Sequence, residues 1–181
     1  MEMGEHNPDM IEPDLIEMVE QHSALLFRYA YRLTGSATEA EDLTQQTFLA
    51  AHTKLSQLRV PSQAKSWLCS ILKNAYLKSR RSAAGKPLLT WNQHQEPATE
   101  TVPEGPYDDE DVQQVLNDLP DEFKIPLILF YFQEMSYREI AEHLEIPVGT
   151  VMSRLARAKA AVRSALEQRA IPLTGGKYPQ I

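Results

Sequence analysis

Pro147 breaks an otherwise helical stretch, and that break sets the geometry of the last third of the chain. Upstream, Ser136 followed by Glu139 reads as an N-cap closed into a capping box. Ile140, Ala141 and Leu144 then give one apolar helix face. Glu145-Ile146-Pro147 ends that helix, because proline donates no amide proton and disfavours helix in the residue before it. A second helix is expected from about Val148. Val148, Val151, Leu155, Ala158 and Val162 fall on one side of it, and Thr150, Ser153, Arg154 and Arg157 on another. The first side suits a core, and the second offers hydroxyls and guanidinium forks. This is the layout of a helix-turn-helix whose second helix reads bases in the major groove. Helical proteins that never touch DNA also contain such pairs, so charge is the second observation. From Pro147 onward, Arg154, Arg157, Lys159, Arg163, Arg169 and Lys177 face Glu167 alone, the positive field expected of a phosphate-binding surface.

The net charge of −7 hides strong segregation. Residues 1–58 are acidic, and residues 59–86 carry Arg59, Lys65, Lys73, Lys78, Arg80, Arg81 and Lys86 with no acid. Residues 87–122 carry only acids among their charged side chains. Two basic blocks thus flank an acidic one, and a uniformly solvated surface would mix the signs. The single cysteine, Cys69, lies in an apolar helical run and reads as a small core residue. The acidic N-terminus argues against a signal peptide, and no apolar run approaches the roughly 20 residues of a membrane span. A cytoplasmic protein without membrane insertion is expected.

Helical periodicity predicts an all-α chain of two small domains. A first helix is expected over residues 14–33, with Leu15, Met18, Val19, His22, Leu25, Leu26, Tyr29 and Leu33 inward. Thr38 with Glu41 suggests a second capping box, opening a helix to about Leu55. A third is expected over residues 63–81, with Trp67, Leu68, Ile71, Leu72 and Ala75 apolar. Residues 84–108, rich in proline, glycine and acid, read as a flexible linker. A second helical group begins near Asp109, and Pro126 predicts a kink or a displaced helix start within it. The boundaries are therefore domain 12–83, linker 84–108, domain 109–169 and a short tail 170–181.

Two blocks of sequence resemble the sigma factors of bacterial RNA polymerase, in the extracytoplasmic-function group (group IV) that keeps only sigma domains 2 and 4. The first runs Ala37-Thr38-Glu39-Ala40-Glu41-Asp42-Leu43-Thr44-Gln45-Gln46-Thr47-Phe48-Leu49, followed by Ser66-Trp67-Leu68 and Leu72-Lys73-Asn74-Ala75-Tyr76-Leu77-Lys78-Ser79-Arg80-Arg81. The second runs Leu116-Asn117-Asp118-Leu119-Pro120, followed by Ser136-Tyr137-Arg138-Glu139-Ile140-Ala141 and Gly149-Thr150-Val151-Met152-Ser153-Arg154-Leu155-Ala156-Arg157-Ala158-Lys159.

The resemblance implies a binding and melting device, without catalytic residues, metal or cofactor. Asp42, Gln45, Gln46 and Leu49 would face the clamp helices of the polymerase beta-prime subunit, and the beta flap would meet domain 4. Arg59, Lys65, Trp67, Lys73, Asn74, Lys78, Arg80 and Arg81 would open the −10 element and hold its single strand, where a cationic track and stacking rings are the physical requirement. For Trp67 a core position is an equal alternative. Thr150, Met152, Ser153, Arg154, Arg157 and Lys159 would meet the −35 duplex, arginine bonding guanine bidentately. Lys159 and Arg163 are assigned to phosphates. Relatives often carry an aspartate at the place of Lys78 and a basic residue at that of Met152, and some carry a bulky side chain at that of Ala156; the last two leave the exact −35 sequence open. The resemblance also makes the acids at Glu96, Glu100, Glu104, Asp108, Asp109, Glu110 and Asp111 a nucleic-acid mimic within the RNA exit path, where composition alone allows a solvated spacer. Promoter DNA, core polymerase and an anti-sigma factor are the implied partners.

Two other classes are weighed. A stand-alone helix-turn-helix regulator would bind duplex DNA unaided, usually as a dimer, and the chain has no obvious dimerisation helix. An enzyme would need a site, yet His6, His22, His52, His94 and His143 show no metal-ligand spacing, and neither a phosphate-cradling glycine loop nor a nucleophile motif is present.

Overall fold

The computed structural model describes residues 15–83 and 109–170. The expected linker, the first residues and the tail from residue 171 lie outside them. The first group holds α1 (Leu15–Thr34), α2 (Ala37–Thr53) and α3 (Ala64–Ala83). The second holds α4 (Asp109–Asp118), α5 (Asp121–Tyr131), α6 (Tyr137–Leu144) and α7 (Val148–Ala170). The fold is all-α, as expected, with no strand among the described residues. No helix among them is long and apolar enough to cross a membrane.

Leu26, Tyr29, Ala30 and Leu33 of α1 pack on Leu43 and Ala51 of α2 and on Leu68, Cys69 and Leu72 of α3. Fully burying each leucine contributes about 1.5–3 kcal/mol. Cys69 is a core residue, and burial pushes its thiol up to about 12. Val19, expected inward, is 36% exposed because the buried stripe runs through Met18, Leu26 and Ala30 instead. The cap of α2 also differs from expectation. Ser36, not Thr38, accepts from the Glu39 amide at 3.3 Å. Gly35 immediately precedes it at φ +71° and turns the chain there, so the helix starts earlier than Thr38. The helix also ends at Thr53 rather than Leu55, which opens a short 3-10 turn.

In the second group α7 is the spine, touched by α4, α5 and α6. Val151, Leu155, Ala158 and Val162 are buried as expected, whereas Val148, in the first turn of α7, stays 39% exposed. Pro126 neither displaces the helix start nor interrupts α5, which runs through it from Asp121. The carbonyl that loses its helical partner to the proline belongs to Glu122, an exposed residue. Asp109, Glu110 and Asp111 form the first turn of α4, which begins where the second helical group was expected, and acids are favoured at that end of a helix. The capping box of α6 is present on both sides. Ser136 accepts from the Glu139 amide, and the Ser136 amide donates to Glu139 Oε2 at 2.8 Å. That bonding holds the Glu139 carboxyl below its ordinary range.

The two groups close on one another, and their buried apolar residues form one cluster. Arg32 of α1 pairs with Asp109, donates to Gln113 Oε1 at 3.1 Å and lies over the Phe132 ring at 4.5 Å. A Cβ at Gly35 would collide with the Asn117 side chain of α4. Lys73 of α3, 8% exposed, donates to the His143 carbonyl at 2.7 Å. The His143 ring lies beneath α3 with Nδ1 3.0 Å from Ser70 Oγ, while its Nε2 is buried without a partner among the described residues. Burial, then the Lys73 charge, lowers its pKa from 6.5 to about 4.

The imidazole is therefore neutral in the fold, and between pH 6.5 and about 4 only the unfolded chain takes up its proton. This contribution to stability is complete above pH 6.5 and is lost as pH falls toward 4. Urea titrations should show up to roughly 3 kcal/mol lost over that window from this one residue. His143→Gln should flatten the profile there, and a profile of equal slope in the variant would remove the residue from the account.

Candidate nucleic-acid interface

The αL residue Glu145, φ +56°, turns the chain out of α6, and α7 begins after Pro147 with the Thr150 and Val151 amides donating to its carbonyl. Helix geometry does the rest. With Val151, Leu155 and Ala158 buried, Met152, Ser153 and Arg157 stand exposed, flanked by half-buried Thr150 and Arg154. Met152 is 53% exposed. Ser153 Oγ donates to the Thr150 carbonyl at 3.0 Å, which fixes its hydroxyl and leaves lone pairs facing outward. Lys159 does not join this row. Its Nζ lies 5.4 Å and 5.7 Å from the Phe130 and Tyr131 ring centres, a cation–π arrangement that turns it toward α5. Tyr137 packs on Phe130 with ring centres 5.3 Å apart, while Arg138 is exposed.

The basic residues of α3 divide between two sides. Asn74 and Lys78 line a groove of about 480 Å³ with Gln46, Lys54, Ile71 and Ser79. Gln46 of α2, assigned to polymerase, and Asn74 of α3, assigned to the −10 strand, therefore line the same groove. Arg80 and Arg81 are exposed near the end of α3, with Arg80 Nε 3.6 Å from Asp121. Arg59 is exposed in the loop before α3. Lys65 and Lys73 lie on the opposite side, against the second group: Lys65 Nζ donates to the Gln133 carbonyl at 3.1 Å. Trp67 is half-buried and packs on the core. On α2, Asp42, Gln45 and Gln46 are exposed, and Leu49 is 70% exposed, a large apolar side chain offered to solvent.

Residues 18–85 match the family model of Sigma-70 region 2, and residues 109–162 match that of Sigma-70, region 4. The chain belongs to the extracytoplasmic-function sigma factors. It is 34% identical over 160 residues to the ECF RNA polymerase sigma factor SigE of Mycolicibacterium smegmatis, covering 85% of this chain and 62% of that protein. It is 32% identical over 155 residues to the ECF RNA polymerase sigma factor SigL of Mycobacterium tuberculosis, covering 83% and 88%. Its fold is similar to that of RpoE from Bartonella quintana, solved with the anti-sigma factor NepR, at TM-score 0.68 and 24% identity over 85% of this chain and 97% of that one. CnrH, solved with the cytosolic domain of CnrY, is similar at TM-score 0.61 and 22% identity over 85% and 88%.

In this sigma factor the residues that join the domains escaped the sequence reading. They are Arg32, Ser70, Tyr76, Gln113, Asp121, Gln133 and His143. One signal was present. Lys73 follows Cys69 by four residues and precedes Tyr76 by three, so a lysine sits on the apolar stripe of α3.

Gly149, in the first turn of α7, has no atom within 4 Å of where a Cβ would stand. The fold does not require glycine there, and alanine is the better helix former by at most about 1 kcal/mol. Thermal unfolding of Gly149→Ala should therefore show an unchanged or raised midpoint, and a lowered one would contradict the open space seen here.

Proposed function

We infer that this sigma factor directs core RNA polymerase to specific promoters, with domain 4 (109–169) reading the −35 element as duplex and domain 2 (12–83) opening the −10 element. The observation that carries the reading is the exposed row on α7, Ser153 and Arg157 flanked by Thr150 and Arg154, in a chain whose other half matches Sigma-70 region 2. Arg154 and Arg157 suit bidentate contacts to guanine, and Thr150 and Ser153 suit either base edges or phosphate. Met152 offers an apolar contact, as to a thymine methyl. Lys159, held on two rings, acts on phosphate only after leaving them.

In domain 2 the groove holding Asn74 and Lys78 takes a base of the displaced strand, Asn74 supplying the hydrogen bond to its edge. Extrusion of a base costs a few kcal/mol, which these contacts must offset. Arg59, Arg80 and Arg81 follow the backbone, and Lys65 and Lys73 join them once released from domain 4. Asp42, Gln45, Gln46 and Leu49 dock on the beta-prime clamp helices, Leu49 supplying the apolar anchor. Domain 4 meets the beta flap, and the linker 84–108 threads between the two sites. The protein acts in the cytoplasm without catalysis of its own, and an anti-sigma factor is its expected regulator.

Transcription with purified bacterial core polymerase and a promoter library, with and without the protein, tests this reading. Protein-dependent transcripts sharing −35 and −10 sequences are expected. Arg154→Ala or Arg157→Ala should each lower −35-dependent transcription about tenfold, from the 1–3 kcal/mol of a bidentate contact. Leu49→Asp should abolish transcription and binding to core polymerase while leaving the thermal unfolding midpoint unchanged, because Leu49 is 70% exposed. Binding of duplex DNA without polymerase, and no transcript with it, would replace the reading with a stand-alone regulator.

A further inference from the structure

The groove between α2 and α3, about 480 Å³ in volume, is unbalanced in its hydrogen-bonding groups. Lys54, the C-cap of α2, lines it from one helix, and Asn74 and Lys78 line it from the other. All three are exposed. Asn74 and Lys78 stand four residues apart, which puts them on one face of α3. No carboxylate is among the described residues that line the groove. An ammonium group donates and never accepts, whereas an amide such as Asn74 or Gln46 can do either. Ser79 Oγ donates to the Tyr76 carbonyl at 2.8 Å, so its proton is committed and its lone pairs alone remain. Ile71 supplies half-buried apolar surface against which a flat ring can lie. A cation at the C-terminal end of a helix is favoured by the helix itself, which accounts for a lysine at position 54. It does not account for a second lysine across the same groove.

We propose that Lys54 is a specificity-determining residue of domain 2, and that with Lys78 and Asn74 it makes this groove select a keto base, thymine or guanine, over an amino base, adenine or cytosine. The proposal rests on the promoter reading above and names the class of base that the groove takes. Thymine carries an acceptor at O4 and guanine one at O6, where cytosine and adenine carry amino donors. A lysine donates to the keto oxygen. Facing an amino group, it leaves two donors desolvated with no acceptor between them. Asn74 completes the keto pattern, because its Oδ1 can accept the ring N–H that lies beside the carbonyl in thymine and in guanine. Contacts to phosphate alone would hold all four bases alike, so discrimination at this position requires the lysines to meet the base edge.

Two single-stranded probes isolate the keto group: a decamer of thymidine and a decamer of 5-methyl-deoxycytidine, whose base differs from thymine by an amino group in place of O4 and by the loss of the N3 proton. Fluorescence anisotropy measures their binding to the full chain with core polymerase, core alone serving as the blank, in mildly alkaline buffer where 5-methylcytosine is uncharged. The thymidine decamer should bind at least about fivefold more tightly. Lys54→Gln with Lys78→Gln should bring the two affinities together. A lysine that only caps its helix or only meets phosphate would weaken both probes by the same factor and leave their ratio unchanged. Equal affinities in the unaltered chain, a ratio that survives the double substitution, or binding no tighter than the blank would each overturn the proposal. On a promoter selected by the protein, 5-methylcytosine for each −10 thymine and 2,6-diaminopurine for each −10 guanine, placed in turn, separate the two ideas. One such position should lose transcription with the unaltered chain and not with the doubly substituted one. Transcription that tolerates every replacement overturns the keto selection and leaves the promoter reading standing. A keto preference on the decamers with no transcription from any promoter counts against the promoter reading and not against the groove.

Discussion

The bond from buried Lys73 to the His143 carbonyl organises this molecule. A lysine side chain taken out of water must find an acceptor, and burial already lowers its pKa. The acceptor comes from the helix-turn-helix, so satisfying one side chain of domain 2 fixes where domain 4 sits. The consequences spread outward. The His143 ring is pressed under α3 and kept neutral, Asp121 is brought to Tyr76 and Arg80, and Arg32 reaches α4. Domain 4 is small enough that its own core is marginal. Its apolar cluster is continuous with that of domain 2, which adds burial that an isolated domain would lack.

The same chemistry serves two ends. A cation that donates to a carbonyl oxygen can equally donate to a phosphate oxygen, so a basic helix face is a natural docking face for the end of a helix. The asymmetry between the two basic blocks follows. On α7 the hydrophobic stripe alone is buried, and the polar row stays in solvent. On α3 the lysines divide, Lys65 and Lys73 against domain 4 and Lys78 on the groove beside Asn74. The charge segregation in the sequence thus resolves into two different environments, one row left in solvent on α7 and one side of α3 bonded to domain 4.

Local rules were legible in the sequence where they act locally. Ser136 with Glu139 and Pro147 placed the helix-turn-helix because caps and proline act within a few residues. They failed where two local signals competed: Ser36 and Thr38 both head a Ser/Thr-x-x-Glu pattern, and Gly35 decided in favour of the first. Pro126 could be read as a kink or as a displaced helix start, and periodicity did not show that α5 would begin ahead of it at Asp121. Most of the exposed face of α7 was readable, Val148 excepted, whereas the orientation of Lys159 depended on Phe130 and Tyr131 from another helix. The domain interface was almost wholly hidden, because its bonds join residues far apart in sequence and several end on backbone carbonyls, which carry no residue signature. Only the lysine on the apolar stripe of α3 pointed toward it.

The central claim is that this chain opens promoter DNA together with polymerase, rather than merely binding duplex. Permanganate reactivity of unpaired thymines measures that directly, on a promoter selected by the protein and incubated with core polymerase. The account predicts reactive thymines confined to the −10 element, present only when protein and polymerase are both added. A duplex bound at the −35 element by the protein, with every −10 thymine unreactive in the presence of polymerase, would contradict it.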